Sequence, residues 1–182
     1  MSRLKRDEEG CLVFKDYPLF RPNKTPRQVI LEGSFGGTYF RPIFSIVNNK
    51  KYKNIHKKYI FFNDINTDLL TLSWEEYNKS INKYNVKVGT TLEYWETQNW
   101  IHSLHPYGWF QWYCDFIAGK RSVDDERQIK RWLQTAGPNS RFRKRLMNMV
   151  TDNDTYYDDY NISPKIRQTL LHWGYELSEY DF

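Results

Sequence analysis

Cysteine is scarce in this chain: Cys11 and Cys114 are its two, far apart and without neighbours at metal-knuckle spacing. That excludes a disulfide framework and predicts buried thiols in a reducing compartment. No stretch of about 18 apolar residues is present, and Met1 to Gly10 alternates charges without an apolar segment. The expectation is an intracellular protein, cytoplasmic or nuclear, neither secreted nor membrane-inserted. A phosphate loop is also missing, because Gly36-Gly37 is followed by no lysine and lacks the strand-loop-helix context, which leaves tight packing as the reason for those glycines.

Aromatic residues, by contrast, are abundant: 7 Trp, 14 Tyr and 11 Phe among 182 residues. One domain of this length can bury a single aromatic-rich core, with many Tyr and Trp tips at its boundary. The net charge of +5 favours acidic partners, although its placement matters more than its size. Frequent Asn, Lys, Ile and Tyr fit an AT-rich coding genome.

Periodicity predicts a mainly α fold, a single helical domain over residues 1–182 with a small irregular or β element near residues 39–62. Residues 1–24 read as an N-terminal extension and 152–162 as an acidic, Tyr-rich loop. Thr25-Pro26 opens a short helix that Gly33 closes. Residues 43–62 read as a loose hairpin or long loop around Asn48-Asn49-Lys50-Lys51. Ser73 caps a helix from Trp74 to about Tyr84, Thr90 or Thr91 caps another with Leu92 and Trp95 inward, and His105-Pro106 begins a third. That third helix, carrying Trp109, Phe110, Trp112, Tyr113, Phe116 and Ile117, is apolar around nearly its whole circumference and must be central. Ser122 and Asp125 form a capping pair for a helix with Ile129, Trp132, Leu133 and Ala136 inward. After Gly137-Pro138 a further helix turns Phe142, Leu146, Met149 and Val150 to the core. Ser163-Pro164 caps the last one, with Ile166, Leu170, Trp173 and Leu177 inward.

Several of these segments resemble a family of uncharacterised proteins from bacteria, fungi and large DNA viruses. The resemblance rests on Phe35-Gly36-Gly37-x-Tyr39, Trp100-Ile101, Gly108-Trp109-Phe110-Gln111-Trp112-Tyr113-Cys114, Arg127-Gln128-Ile129-Lys130-Arg131-Trp132 and Arg167-Gln168-Thr169-Leu170-Leu171-His172-Trp173. It runs in pieces from about Thr25 to Leu177 and implies no activity. Relatives tend to carry a basic residue where this chain has Asp115, and residues 43–84 diverge. A large DNA virus is an expected source, which adds a virion component to the candidate roles.

The leading functional reading is a non-enzymatic basic helical module that binds nucleic acid, DNA or RNA, or an acidic protein surface. Arg127, Lys130 and Arg131 fall opposite the apolar face of one helix, and Arg141, Lys144 and Arg145 lie away from that of the next. Six cations on two adjacent helices make a phosphate footprint. The connection Thr135 to Asn139 has the length and glycine of a helix-turn-helix, which would make the helix from Ser140 the reader. Alternatively, the cations solvate outer faces and pair in part with Asp124, Asp125 and Glu126. The acidic run Asp152, Asp154, Asp158 and Asp159 would either screen that face or present its own. A second basic patch, Lys50, Lys51, Lys53, His56, Lys57 and Lys58 with Tyr52 and Tyr59, suits single strands or a lysine-protected edge strand.

The runner-up is a structural or protein-interaction component using exposed aromatics and the acidic loop. Third is a ligand-binding or enzymatic pocket on the polar groups embedded in the aromatic motifs: Tyr39, Arg41, His105, Gln111, Arg167 and His172, with Arg127, Gln128 and Gln168 beside them. Converging, they would hold an aromatic anion such as a nucleotide; otherwise they form a buried network. His102-x-x-His105 has chelating spacing, with Cys114 or His172 to complete it, but packing and capping explain both histidines, so no metal or cofactor is expected. Asp124-Asp125 reads as helix capping rather than an acid/base pair. Cys114 within an apolar helix should have a raised pKa and no nucleophilic role.

Overall fold

A computed structural model of the chain describes residues 4–182. Helices dominate its regular structure: α1 (Pro26–Leu31), α2 (Leu92–Thr97), α3 (Trp109–Ile117), α4 (Asp125–Thr135), α5 (Arg141–Asp152) and α6 (Pro164–His172). The only sheet among the described residues is an antiparallel pair, β1 (Ile43–Ser45) and β2 (Lys50–Tyr52), in which Ile43 faces Tyr52 and Ser45 faces Lys50. Short 3-10 turns fill much of residues 55–81.

The centre is α3. All nine of its residues are buried. It starts at Gly108, whose φ of +88° suits glycine and lets Ile101 approach closely. Phe20 reaches this helix from the amino-terminal segment, its ring centroid 5.5 Å from Trp112, 5.3 Å from Phe116 and 5.2 Å from Trp132 of α4. The segment read as an extension is therefore part of the core, since Leu12 and Phe20 are fully withdrawn from water. Pro18 and Pro22 flank Phe20 and leave no helix or strand period from which its role could be read. Both cysteines are free and buried, and burial pushes the Cys114 thiol well up.

Side-chain capping sets three of the six helix starts. Thr25 and Gln28 form a reciprocal capping box at α1, Thr91 accepts the Tyr94 N–H at α2, and Ser140 accepts the Arg143 N–H at α5. At α4, Asp125 accepts from the Ser122 N–H (3.0 Å) and hydroxyl (2.9 Å), and also from the buried Trp112 indole at 2.7 Å, which ties α4 to α3. Its neighbour Asp124 caps no backbone N–H, contrary to the capping expected of both carboxylates.

Three further expectations need correction. The helix expected over 74–84 is two 3-10 turns, Trp74–Glu76 and Lys79–Ile81. Non-helical backbone at Tyr77 interrupts it there, with the Asn78 N–H donating to the Gly36 carbonyl at 3.0 Å. The helix expected from His105 begins instead at Trp109, because a hydrogen-bonded turn from His102 to His105 precedes it. Ser163 sits at φ +48° with no side-chain cap, so Pro164 alone suits the start of α6.

Long-range charge pairs close the carboxyl-terminal tail over the helices. Glu176 takes hydrogen bonds from Lys83 and the Tyr84 hydroxyl and pairs with Lys24. Burial raises its pKa, but the two lysines outweigh that and hold it below the usual carboxylate range. Asp181 pairs with Arg143 of α5 and accepts from the Tyr175 hydroxyl.

The Phe35-Gly36-Gly37 turn is a packing device. Gly37 has φ +87°, and a Cβ there would lie 2.2 Å from the Asp68 carbonyl oxygen. Gly37→Ala is expected to lower stability by at least about 2 kcal/mol, combining left-handed strain with a backbone clash. Urea unfolding measures this; an unchanged midpoint would contradict the packing assignment.

Candidate functional site

Aromatic side chains left over from the core line an open cleft of about 540 Å³. This is within the usual size of small-ligand sites. Trp109, Phe110 and Gly108 of the α3 start contribute its base. Tyr94, Trp95 and Trp100 come from α2 and the turn after it, Phe35 and Tyr39 from the glycine turn after α1, and His172 and Trp173 from the end of α6. The α4–α5 corner supplies Arg131, Gln134, Thr135 and Phe142. Tyr94, Trp100 and Phe142 are 45%, 42% and 41% exposed, large apolar rings presented to solvent around one opening.

Arg131 is the cation of this cleft. It lies three residues after Gln128, hence on the same face of α4, and that face turns inward rather than to the outer surface expected for it. Its guanidinium donates to Gln128 Oε1 at 3.0 Å and to the Trp100 carbonyl at 3.2 Å, and sits 5.4 Å from the Trp173 ring. No carboxylate lies within ion-pair distance among the described residues. Burial first, then the Arg127 charge, pulls its pKa down to about 10, which leaves it cationic at neutral pH. A smaller cavity of about 40 Å³ shares Phe35, Tyr39, Trp95 and His172 with the cleft and contains Arg41. Arg41 has the Thr38 carbonyl as acceptor at 3.2 Å, stacks 5.1 Å from Trp74, and has its pKa lowered chiefly by burial.

The expected pocket residues therefore separate. Tyr39 and His172 line the cleft and Arg41 its inner extension. Gln111 is buried, its Oε1 accepting the Tyr107 N–H at 2.9 Å, while Arg167 is buried and donates to the Ile162 and Tyr157 carbonyls, bracing the 152–162 loop. His105 lies between Asp115 and Asp124. Gln111 and Arg167 thus serve the fold's own backbone groups, and His105 lies outside the cleft, its Nδ1 without a hydrogen-bond partner.

The six cations expected on α4 and α5 also divide. Lys130, Arg141, Lys144 and Arg145 are exposed. Arg127 instead clamps the buried Asp124, its Nη2 2.9 Å from Oδ2 and its Nε on Oδ1, and Arg131 faces the cleft. Phe142 stands at the cleft opening rather than in the core. Across the chain, Lys50, Lys51, Lys53, Lys57 and Lys58 are exposed on and after β2, with His56 buried.

Trp100, Trp95, Phe142 and Trp173 are the site residues that sequence reasoning assigned to packing or passed over. Their signal was the excess of aromatics over what one core of this size absorbs. No family model, curated protein or solved structure matches the chain.

His172 stacks on Phe35 at 4.5 Å, and its Nε2 lies 2.8 Å from the Ser34 carbonyl. Burial outweighs that hydrogen bond and lowers its pKa from 6.5 to about 4. As pH falls, the unfolded chain takes up this proton first. Stability is therefore whole above about pH 6.5 and is lost towards pH 4, by at most about 3 kcal/mol for this one group. His172→Gln is expected to flatten that part of a stability-versus-pH curve, leaving the smaller slopes of His56 and His105, whose pKa values burial also lowers. An identical slope in the variant contradicts the assignment.

Proposed function

We propose that the protein binds single-stranded nucleic acid without acting as an enzyme, holding a base in the aromatic cleft and phosphates on Arg131 and the exposed cations of α4 and α5. The observation that carries this reading is Arg131 itself: a partly buried guanidinium without a carboxylate partner, aimed into a cleft walled by tryptophans. An uncompensated cation in such a place is costly unless an anion completes it. The aromatic lining beside it suits a base, because base–aromatic stacking is tolerant of sequence and contributes about 1–3 kcal/mol per base. Phe142 joins the two parts, lying at the cleft opening one residue from exposed Arg141.

Duplex reading by α5 has less support. It called on six cations on one surface, whereas Arg127 is paired with Asp124 and Arg131 lines the cleft. Acidic-loop residue Asp159 bonds within its own segment, to Thr155 and Asn161, and does not screen α5 by an ion pair.

Fluorescence anisotropy with labelled single-stranded DNA, single-stranded RNA and duplex of equal length, over a series of salt concentrations, tests the proposal. Single strands should bind more tightly than duplex, with log affinity falling linearly against log salt. Trp100→Ala and Arg131→Gln should each weaken binding by about tenfold, whereas Arg141→Gln with Arg145→Gln should mainly reduce the salt slope. Equal or tighter duplex binding, or affinity unchanged by Trp100→Ala and Arg131→Gln, sinks it.

A second reading, protein contact, is favoured by one surface: Phe44, Ile46 and Val47 stand exposed and adjacent on the hairpin. If they mediate association, sedimentation velocity of the wild type should show concentration-dependent growth that Phe44→Ser with Ile46→Ser removes. A monomer at all concentrations would remove self-association as its basis.

A further inference from the structure

His102 and His105 are brought together by the turn that precedes α3, closed by the His105 N–H donating to the His102 carbonyl at 2.9 Å. The spacing of three residues then sets both imidazoles on one side. Neither Cys114 nor His172 completes the group. Asp124, at the start of α4, does: one donor atom from each of His102, His105 and Asp124 falls within 4.8 Å of the others. We propose that these three side chains form a binding site for a divalent transition-metal ion of the zinc or cobalt type, with its fourth position open to water.

The buried imidazole carries the case. His105 is almost fully withdrawn from water, and its Nδ1 has no hydrogen-bond partner. That atom faces Asp124 Oδ2 at 3.8 Å, while the other ring nitrogen, Nε2, faces Asp115 Oδ2 at 3.7 Å. With the ring proton on Nε2, towards Asp115, the Nδ1 lone pair and the Asp124 carboxylate confront one another with no donor between them. A cation resolves that confrontation. Zinc binds nitrogen and carboxylate oxygen at roughly 2.0–2.2 Å, so two ligands held 3.8 Å apart need to close only slightly around it. The carboxylate behind the ligating histidine is the arrangement that orients such rings and raises their basicity. Asp115 is itself held by Lys58 at 3.2 Å and Lys120 at 3.0 Å.

Two adjustments accompany binding. Asp124 Oδ2 already accepts from Arg127 Nη2 at 2.9 Å and Gln128 Nε2 at 2.8 Å, so the exposed end of Arg127 yields its place to the ion while Gln128 continues to orient the carboxylate. His102 Nδ1 accepts the Leu104 N–H at 3.2 Å. Ligation uses that nitrogen in place of the contact, or uses Nε2 after the proton moves to Nδ1. Two histidines and one carboxylate favour ions of intermediate softness over calcium or magnesium, which prefer all-oxygen sets.

Titration of the untagged, metal-free full chain with cobalt(II), read by visible absorption, tests the site. One equivalent should produce intense ligand-field bands of a low-coordinate centre, and zinc should abolish them. His102→Ala, at a partly exposed position where the fold can be checked by circular dichroism, should weaken cobalt affinity by at least about tenfold. Asp115→Asn should weaken it less. Absence of intense bands, or a His102→Ala variant that binds as the wild type does, overturns the proposal and leaves His105 as a structural imidazole between two carboxylates.

Discussion

All nine residues of α3 are withdrawn from water, so every side of that helix needs a cover, and the covering elements are drawn from the whole chain. Phe20 seals one side from the amino-terminal segment, Trp132 of α4 closes around it, and the α3 start packs against Trp173 beyond α6 with ring centroids 4.5 Å apart. The polar edges of these rings are satisfied individually: the Trp112 indole by Asp125, the Trp132 indole by the Trp173 carbonyl at 2.9 Å and the Trp109 indole by the Gln128 carbonyl at 3.2 Å. Each aromatic contact thus fixes a helix in orientation as well as in distance. The cleft is a product of this arrangement. Trp95, Trp100 and Trp173 cover only part of the end of α3, and the gap between them is where the rings meet solvent.

Electrostatics sort the arginines into two populations. Arg127 and Arg143 have carboxylates at hydrogen-bond distance, and removal of either partner would strand a charge. Arg131 and Arg41 have backbone carbonyls and aromatic faces instead, and burial lowers the pKa of both. Gln128 connects the populations, its Oε1 accepting from Arg131 and its Nε2 donating to Asp124. A single buried amide thereby links the cleft to the carboxylate beside His105.

Helix content and the centrality of α3 were legible because a nine-residue stretch apolar on every side has one physical outcome. The cap at Thr25, and those at Thr90 or Thr91 and at Asn139 or Ser140 to within one residue, were legible because each is local chemistry over three residues; the one expected at Ser122 was not, since α4 starts after Asp124 without a side-chain cap. Long-range pairings were not. Nothing near Arg143 announces Asp181, and nothing near Glu176 announces Lys24 and Lys83. The helix expected at 74–84 failed where tertiary contacts of Tyr77 and Asn78 with the Gly36 turn overrode a helical period. At the site, helical phase correctly placed Lys130, Arg141, Lys144 and Arg145 outside, but assumed two faces for α4 where the structure uses three: core, solvent and cleft. Arg131 was misplaced for that reason, and Phe142 of α5 because the first turn of that helix borders the cleft rather than the core.

The indole N–H signals offer the most direct measurement of whether the cleft takes a base, because seven tryptophans report from known positions. In a two-dimensional nitrogen–proton spectrum recorded with and without a short single-stranded oligonucleotide at near-physiological salt, occupation of the cleft shifts Trp95, Trp100 and Trp173 and leaves the buried Trp112 and Trp132 in place. Perturbation confined to the backbone signals of α5, with the cleft tryptophans unmoved, would contradict it.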